Sequence, residues 1–204
     1  DGKAILFESA VWAKLPEDMS EKLALAALDV AGAPAQTAKL VKPGDKVLIL
    51  GGGGKSGLLC AYEAKKRAGI TGRVIGVTRS DSGMKTMKEC GFYDAMIKGS
   101  GTEGVELLEK VEAATDGELC DLVISNVNQP DCEMGAVLCC REGGTVYFFS
   151  MATSFTKAAL GAEGIGKDVV MLIGNGYTRH HAEITLNILR ENEYLRKTYE
   201  AKYC

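Results

Sequence analysis

A glycine-rich loop is the most chemically informative segment of the sequence. It follows an apolar run at 47–50 and consists of Gly51-Gly52-Gly53-Gly54-Lys55-Ser56-Gly57. Gly52, Gly54 and Gly57 satisfy the GxGxxG spacing, in which glycines permit a tight turn and a close approach to a pyrophosphate. Amides at the start of the next helix then face the phosphates. The loop predicts dinucleotide binding through Gly51, Gly52, Gly54, Lys55, Ser56 and Gly57.

The loop has two other interpretations. It is similar to the phosphate loop of nucleoside triphosphatases, but that motif, GxxxxGK[ST], would need a glycine at position 49. The chain has Ile49 there, inside the predicted strand, so a kinase or nucleoside triphosphatase is a remote alternative. A plain strand-to-helix turn without a ligand is the structural alternative.

The end of the next apolar run carries Thr78-Arg79-Ser80. An acidic residue usually accepts the ribose hydroxyls of NAD at this place, whereas an arginine accommodates the 2′-phosphate of NADP. Arg79 with its flanking hydroxyls therefore suits NADP, although Asp81 could still reach a ribose and Arg79 could be a solvated surface charge. Both NAD and NADP stay open as the cofactor.

Polar residues also follow two later strands. Because ligands of open parallel sheets bind at the carboxyl edge, we expect these residues on the nicotinamide side of the crevice. The same side chains could instead cap turns. The residues are Asn126, Val127, Asn128, Ser150 and Met151.

The elements that must position these residues follow a βαβ rhythm. Val- and Ile-rich runs predict six strands, at 46–50, 73–78, 94–97, 121–125, 145–150 and 169–173. Apolar residues at helical spacing predict helices between them, at 56–68, 83–90, 103–114, 132–140 and 179–190. The fold class is α/β, a doubly wound Rossmann sheet of six parallel strands in the order 3-2-1-4-5-6 with helices on both faces.

The residues before the first strand form two parts. A helix is predicted at 21–40, capped by Ser20 and interrupted near Gly32 and Pro34. Residues 1–20 contain Lys14-Leu15-Pro16, which is typical of an extended linker, and the chain does not begin with Met. We expect 1–20 to be the remnant of a linker from an upstream catalytic domain, and 21–204 to be the NAD(P)-binding domain.

Composition excludes several classes of protein. The 24 basic and 27 acidic residues are interspersed and give a net charge of −3, without the basic stripe that nucleic acid requires. No apolar run is long enough to cross a bilayer and no signal segment opens the chain, so we expect a cytoplasmic protein without nucleic-acid or membrane partners.

No metal site is expected. The seven cysteines lack metal-binding spacing, and the adjacent His180 and His181 diverge by about 100° on a helix. We expect the cysteines to be reduced core thiols. They are Cys60, Cys90, Cys120, Cys132, Cys139, Cys140 and Cys204.

Several longer runs resemble one enzyme family. They are LAALDVAGAPAQ at 25–36, LVKPG at 40–44, GKSG at 54–57, YFFSMATSF at 147–155, KAALGAEG at 157–164 and GNGY at 174–177. These runs are similar to the L-erythro-3,5-diaminohexanoate dehydrogenases of bacterial lysine fermentation, and the resemblance covers essentially all 204 residues.

The resemblance implies an NAD(P)-dependent oxidative deamination. L-erythro-3,5-diaminohexanoate would give 5-amino-3-oxohexanoate and ammonia, and this chain alone would be inactive because the family has an upstream domain. The amine must be neutral before it gives up hydride, so a base is needed. Asp29, between Leu28 and Val30, is the candidate, since a buried carboxylate needs a partner such as a substrate ammonium. A structural hydrogen bond to a nearby helix end is the alternative.

Other assignments remain open. The chain could belong to a quinone- or alcohol-type reductase of the same superfamily, or be a stand-alone nucleotide-binding or redox-sensing module. An apolar edge strand at 169–173 can pair with a second copy, so we expect a homodimer through that edge.

Overall fold

Six parallel strands form one sheet in the computed structural model, which describes residues 2–174 and 177–204. The order β3-β2-β1-β4-β5-β6 confirms the predicted fold class. Asn175 and Gly176, part of the resemblance at 174–177, and Asp1 lie outside the described residues. The strands are β1 (Lys46–Leu50), β2 (Arg73–Thr78), β3 (Ala95–Lys98), β4 (Cys120–Ser125), β5 (Cys140–Phe148) and β6 (Val170–Ile173).

Strand β1 lies at the centre of the sheet because it is apolar on both faces. Leu48 and Leu50 pack into one core cluster, and Val47 and Ile49 pack into another on the opposite face. A parallel strand covered on both faces has such a continuous apolar run. The sheet therefore carries helices on both faces, as predicted.

Helices α5, α6 and α7 cover one face, and α2 and α3 cover the other. A third cluster joins α1, α8 and α9 to the outer side of α3. The helices are α1 (Glu21–Leu28), α2 (Gly32–Leu40), α3 (Lys55–Ala68), α4 (Asp81–Cys90), α5 (Gly104–Thr115), α6 (Glu133–Leu138), α7 (Phe155–Ile165), α8 (His181–Glu191) and α9 (Glu193–Tyr203).

The helix predicted at 21–40 is two helices. Ser20 caps α1 by accepting a hydrogen bond from the Leu23 amide, as predicted, and α1 ends at its C-cap Asp29. Gly32 and Pro34 lie in the first turn of α2, after the break. Proline fits there because the first amides of a helix have no partner within the helix.

The region around α6 and β5 also differs from prediction. The helix expected at 132–140 is shorter, because β5 already begins at Cys140 and not at 145. A register shift between Cys120 and Leu122 on β4 accommodates the extra residues of β5. Strand β5 ends at Phe148, so Ser150 lies beyond it.

Two helices were not predicted. Helix α7 is capped by Ser154, which accepts from the Lys157 amide, and α9 is capped by Asn192, which accepts from the Leu195 amide. Both caps are recognisable signals. Helix α8 begins at His181, two residues later than expected.

Residues 2–20 contain no helix or strand, and most of them are exposed; the domain division at residue 20 stays a prediction. Six free cysteines are buried, which confirms them as core thiols, but Cys204 is exposed. Among the described residues, no helix combines the length and apolarity that crossing a bilayer requires.

Candidate functional site

A cleft of about 510 Å³ opens at the carboxyl ends of β1, β2 and β4. Many of the predicted binding residues meet there. The predicted residues that line it are Gly51, Gly54, Thr78, Arg79, Ser80, Asn126, Val127 and Asn128.

The glycine loop is fixed to the sheet at the base of this cleft. The amides of Gly51 and Gly52 both donate to the carbonyl oxygen of Val77, at 2.9 and 3.0 Å. Gly51 has φ of +82°, a left-handed conformation that favours glycine. These bonds hold the ends of β1 and β2 together beneath the cleft.

Helix α3 begins very close to this loop. A Cβ atom on Gly57 would lie 2.2 Å from the carbonyl oxygen of Gly51. Only glycine allows this approach, which brings the amino-terminal end of α3 to the cleft. Packing therefore explains why residue 57 is a glycine. The backbone of Gly57 lies beneath the residues that line the cleft.

The start of α3 leaves amide hydrogens available. Within residues 2–174 and 177–204, the amides of Gly53, Lys55 and Ser56 have no hydrogen-bond acceptor. The N-cap Gly54 has no side chain to cap the helix, and the first turn of α3 contains no acidic residue. Free amides and the helix dipole together favour an anion at this place.

The charged side chains that line the cleft are both cationic. Arg79, at the end of β2, and Lys202, from α9, lie along it, and no Asp or Glu occurs among its described lining residues. Neither cation forms an ion pair within the described part of the chain. Asp81, the alternative ribose acceptor, is paired with Lys98 at 2.6 Å. The electrostatic environment of the cleft thus favours an anionic ligand.

Asn126 places a buried carboxamide at the cleft. Its backbone amide donates to Leu50 at 3.0 Å, which fixes the residue directly after β4. Its side chain lies beside the Cys60 thiol, yet its Oδ1 and Nδ2 atoms have no hydrogen-bond partner among the described residues. Burying an amide without partners is costly, and a ligand in the cleft is one way to satisfy it.

The remaining predicted residues do not line the cleft. Gly52 is a buried residue of the loop that packs against Met87 and Tyr93, and Ser56 is buried in α3. Lys55 turns away and pairs with Asp29 at 2.9 Å. Ser150 accepts from the Ala152 amide, as the turn-capping alternative describes. Met151 is 93% exposed.

The burial expected for Asp29 is wrong. Its side chain is 70% exposed, because α1 ends at this residue and the carboxylate leaves the apolar face of the helix. Its partner Lys55 is the first residue of α3. The structural alternative, an interaction at a nearby helix end, fits this geometry better than a buried catalytic carboxylate does.

Other residues of the cleft were not predicted. Ser100 follows β3, so the strand-end rule applied to β1, β2 and β4 would have found it and its flanking glycines. Lys202 had no local signal, because it reaches the cleft only through the packing of α9. The unpredicted lining residues are Leu50, Gly53, Val77, Ser82, Gly83, Thr86, Gly99, Ser100, Gly101, Gln129, Cys132 and Lys202.

The sheet order and the glycine loop between β1 and α3 define a Rossmann domain. Residues 57–174 match the model of the family described as zinc-binding dehydrogenase, and the chain belongs to this family.

Relatives of this chain carry a specific name. The chain is 64% identical over 202 residues to the L-erythro-3,5-diaminohexanoate dehydrogenase of Acetoanaerobium sticklandii. It is 54% identical over 202 residues to the enzyme of the same name from Fusobacterium nucleatum. Each match covers 99% of this chain and 59% of the relative's length. These matches confirm the resemblance predicted from the sequence.

Solved structures support the fold. An alcohol dehydrogenase from Thermotoga maritima superposes with a TM-score of 0.68 at 20% identity, over 91% of this chain and 51% of its own. A mycobacterial protein complexed with NADPH superposes with a TM-score of 0.64 at 20% identity, over 94% of this chain and 57% of its own. Both likenesses concern the fold alone.

The described residues do not fit a zinc ion. Within 2–174 and 177–204, no group of three or more His, Cys, Asp or Glu side chains is arranged to hold a metal. His180 instead contacts Glu183 at 2.9 Å, and the ring of His181 packs edge-on against Tyr177 at 5.2 Å. We therefore derive no chemical step through a metal from these residues.

The close approach at Gly57 can be tested by stability. In Gly57→Ala the new methyl group would clash with the Gly51 carbonyl, so we expect a loss of about 1–3 kcal/mol. Gly164, in α7, has no atom within 4 Å of its Cβ position. Gly164→Ala should stabilise the chain by up to about 1 kcal/mol, since alanine favours helix. Urea denaturation measures both; equal stability of the two variants would contradict the packing described.

Proposed function

We propose that this chain is the cofactor domain of an NAD(P)-dependent dehydrogenase that oxidatively deaminates L-erythro-3,5-diaminohexanoate to 5-amino-3-oxohexanoate and ammonia. The observation that carries the proposal is the cleft, in which free loop amides and two cations occur without a carboxylate. The names of the two relatives support the substrate. The chain spans 59% of their length, so the activity of the whole protein is part of the proposal. A cytoplasmic location fits a soluble small-molecule substrate.

The order of the strand ends would orient a dinucleotide. The pyrophosphate would lie against the free amides at Gly53 and the start of α3, with Lys202 as a further positive charge on the same cleft. Thr78, Arg79 and Ser80 would border the adenosine ribose. Asn126 and Asn128, which follow β4, would border the nicotinamide half.

A nicotinamide, when bound, would supply the hydride acceptor for the carbon that bears the 3-amino group of the substrate. The residues of this chain bind and orient the cofactor, and the buried Asn126 amide offers both a donor and an acceptor.

Turnover tests the proposed reaction. The whole protein should form reduced nicotinamide and ammonia in equal amounts from L-erythro-3,5-diaminohexanoate. Residues 1–204 alone should bind the cofactor without turnover. Absorbance of the reduced nicotinamide and an ammonia assay measure the products. Turnover of quinones or alcohols, with none of the diamino acid, would favour the reductase alternative. Dinucleotide binding without any turnover by the whole protein would favour a stand-alone binding or redox-sensing module.

Arg79 provides a test of the 2′-phosphate site. It lines the cleft beside β2 and has no ion-pair partner in the described part of the chain. We expect Arg79→Ala to weaken NADP binding about tenfold and to change NAD binding less than twofold, as measured by calorimetric titration. Lys85→Ala is the control, since Lys85 is exposed on α4 and pairs with Glu89. An equal loss for both dinucleotides would contradict the assignment.

We further propose a homodimer through β6. Within the described part of the chain, this strand is at the edge of the sheet and pairs only with β5. Val170, Phe155 and Leu160, on β6 and α7, are 56%, 67% and 60% exposed. An open apolar edge of this kind can pair with a second copy.

Sedimentation equilibrium tests the dimer. The unmodified chain should sediment as a dimer, and Val170→Asp should shift it toward monomer because a charge would be buried at the edge. Val105→Asp is the matched control, since Val105 is 67% exposed on α5. An unmodified chain that sediments as a monomer would refute the proposed interface.

A further inference from the structure

Two tyrosine hydroxyls contact the carbonyl side of the glycine loop. Tyr93 donates to the carbonyl oxygen of Gly52 at 2.7 Å, and that of Gly57 lies 3.3 Å from the same hydroxyl. Tyr199 donates to the carbonyl oxygen of Lys55 at 2.7 Å. Neither tyrosine lines the cleft. The two hydroxyls therefore contact carbonyls of the loop outside the lining of the cleft.

The two tyrosines come from distant parts of the chain. Tyr93 lies between α4 and β3, and Tyr199 lies in α9 and is fully buried. Burial raises the pKa of both phenols well above their ordinary value. Both hydroxyls therefore stay protonated at neutral pH and remain hydrogen-bond donors.

The absence of a side chain at Gly52 leaves room for the hydroxyl of Tyr93. A Cβ atom on Gly52 would lie 2.8 Å from the Tyr93 hydroxyl and 2.7 Å from the Met87 sulfur. Any side chain at position 52 would therefore displace the tyrosine from the loop. The close approach of Tyr93 thus explains why residue 52 is a glycine although it does not line the cleft.

The orientation of a peptide group decides whether its N–H or its C=O faces the cleft. When the amides of the loop face the cleft, their neighbouring carbonyls turn toward the protein, and a carbonyl that is buried without a partner destabilises the fold. Tyr93 removes that cost at Gly52. The carbonyl of Lys55, in the first turn of α3, gains a second donor from Tyr199, which holds the start of the helix in place. A flipped peptide would present a carbonyl oxygen to the cleft, where it would repel an anion.

Helix α9 is fixed to the same place by a second contact. The Lys55 ammonium, paired with Asp29, lies 5.1 Å from the centre of the Tyr203 ring. Lys202, the cation from α9 in the cleft, is adjacent to Tyr203 in sequence. The bond from Tyr199 therefore positions both the loop and the helix that carries Lys202.

We propose that Tyr93 and Tyr199 are positioning residues that hold the glycine loop with its amides toward the cleft and thereby strengthen dinucleotide binding. The proposal rests on the proposed function, since it concerns the same cofactor. It assigns a role to two residues that lie outside the glycine motif and outside the cleft.

Removal of each hydroxyl tests this role. Tyr93→Phe and Tyr199→Phe should each weaken binding of NAD and of NADP about fivefold to tenfold, equally for both, because the pyrophosphate is common to them. Tyr62→Phe is the matched control, since the Tyr62 hydroxyl donates to Glu191 at 3.0 Å, away from the loop. It should change neither affinity more than twofold. Calorimetric titration of the full chain measures binding. Urea denaturation at the temperature of the titration verifies that every variant is folded.

Hydrogen exchange provides a second measurement. The Gly54 amide donates to Gly51 at 2.9 Å within the loop, and its exchange should accelerate in Tyr93→Phe and Tyr199→Phe but not in Tyr62→Phe. Affinities and exchange rates equal to those of the unmodified chain would overturn this proposal alone. A loss of the same size in Tyr62→Phe would overturn it too, since the effect would then be general. An unmodified chain that binds neither dinucleotide would overturn the proposed function and this proposal with it.

Discussion

The packing of Gly57 on the carbonyl oxygen of Gly51 is the contact on which the cleft depends. A Cβ atom at residue 57 would lie 2.2 Å from that oxygen, so α3 can begin directly after β1 only because no Cβ is present. The short connection places the positive end of the α3 dipole at the carboxyl edge of the sheet. The loop amides of Gly51 and Gly52 also donate to Val77 on β2, and these bonds hold together the two strand ends that border the cleft.

The loop separates its polar groups between two sides. The amides of Gly53, Lys55 and Ser56 have no acceptor among the described residues, and Gly53 lines the cleft. The carbonyls of Gly52 and Lys55 instead accept hydrogen bonds from Tyr93 and Tyr199. The ammonium of Lys55 pairs with Asp29 and does not line the cleft. The positive charge of the cleft comes from Arg79 and Lys202, which lie on separate elements.

Much of the fold and part of the cleft could be predicted because the signals are local. A continuous apolar run followed by glycines defined β1 and its loop, and the strand-end rule found Arg79 and Asn126. The burial predicted for Asp29 is wrong, because its apolar neighbours suggest burial whereas the helix ends at that residue. Strand β5 was cut short because Arg141 and Glu142 lie in a bulged segment that does not alternate like a regular strand. Lys202 and Tyr199 could not be predicted, since only the long-range packing of α9 on α3 brings them to the loop.

Calorimetric titration of the chain with NAD, NADP and magnesium ATP tests the central claim most directly. The glycine loop, the amides of α3 and the cations Arg79 and Lys202 predict that a dinucleotide binds and that ATP does not compete with it. Binding of magnesium ATP, with no binding of either dinucleotide, would show that the loop is a triphosphate site and would contradict the dehydrogenase account.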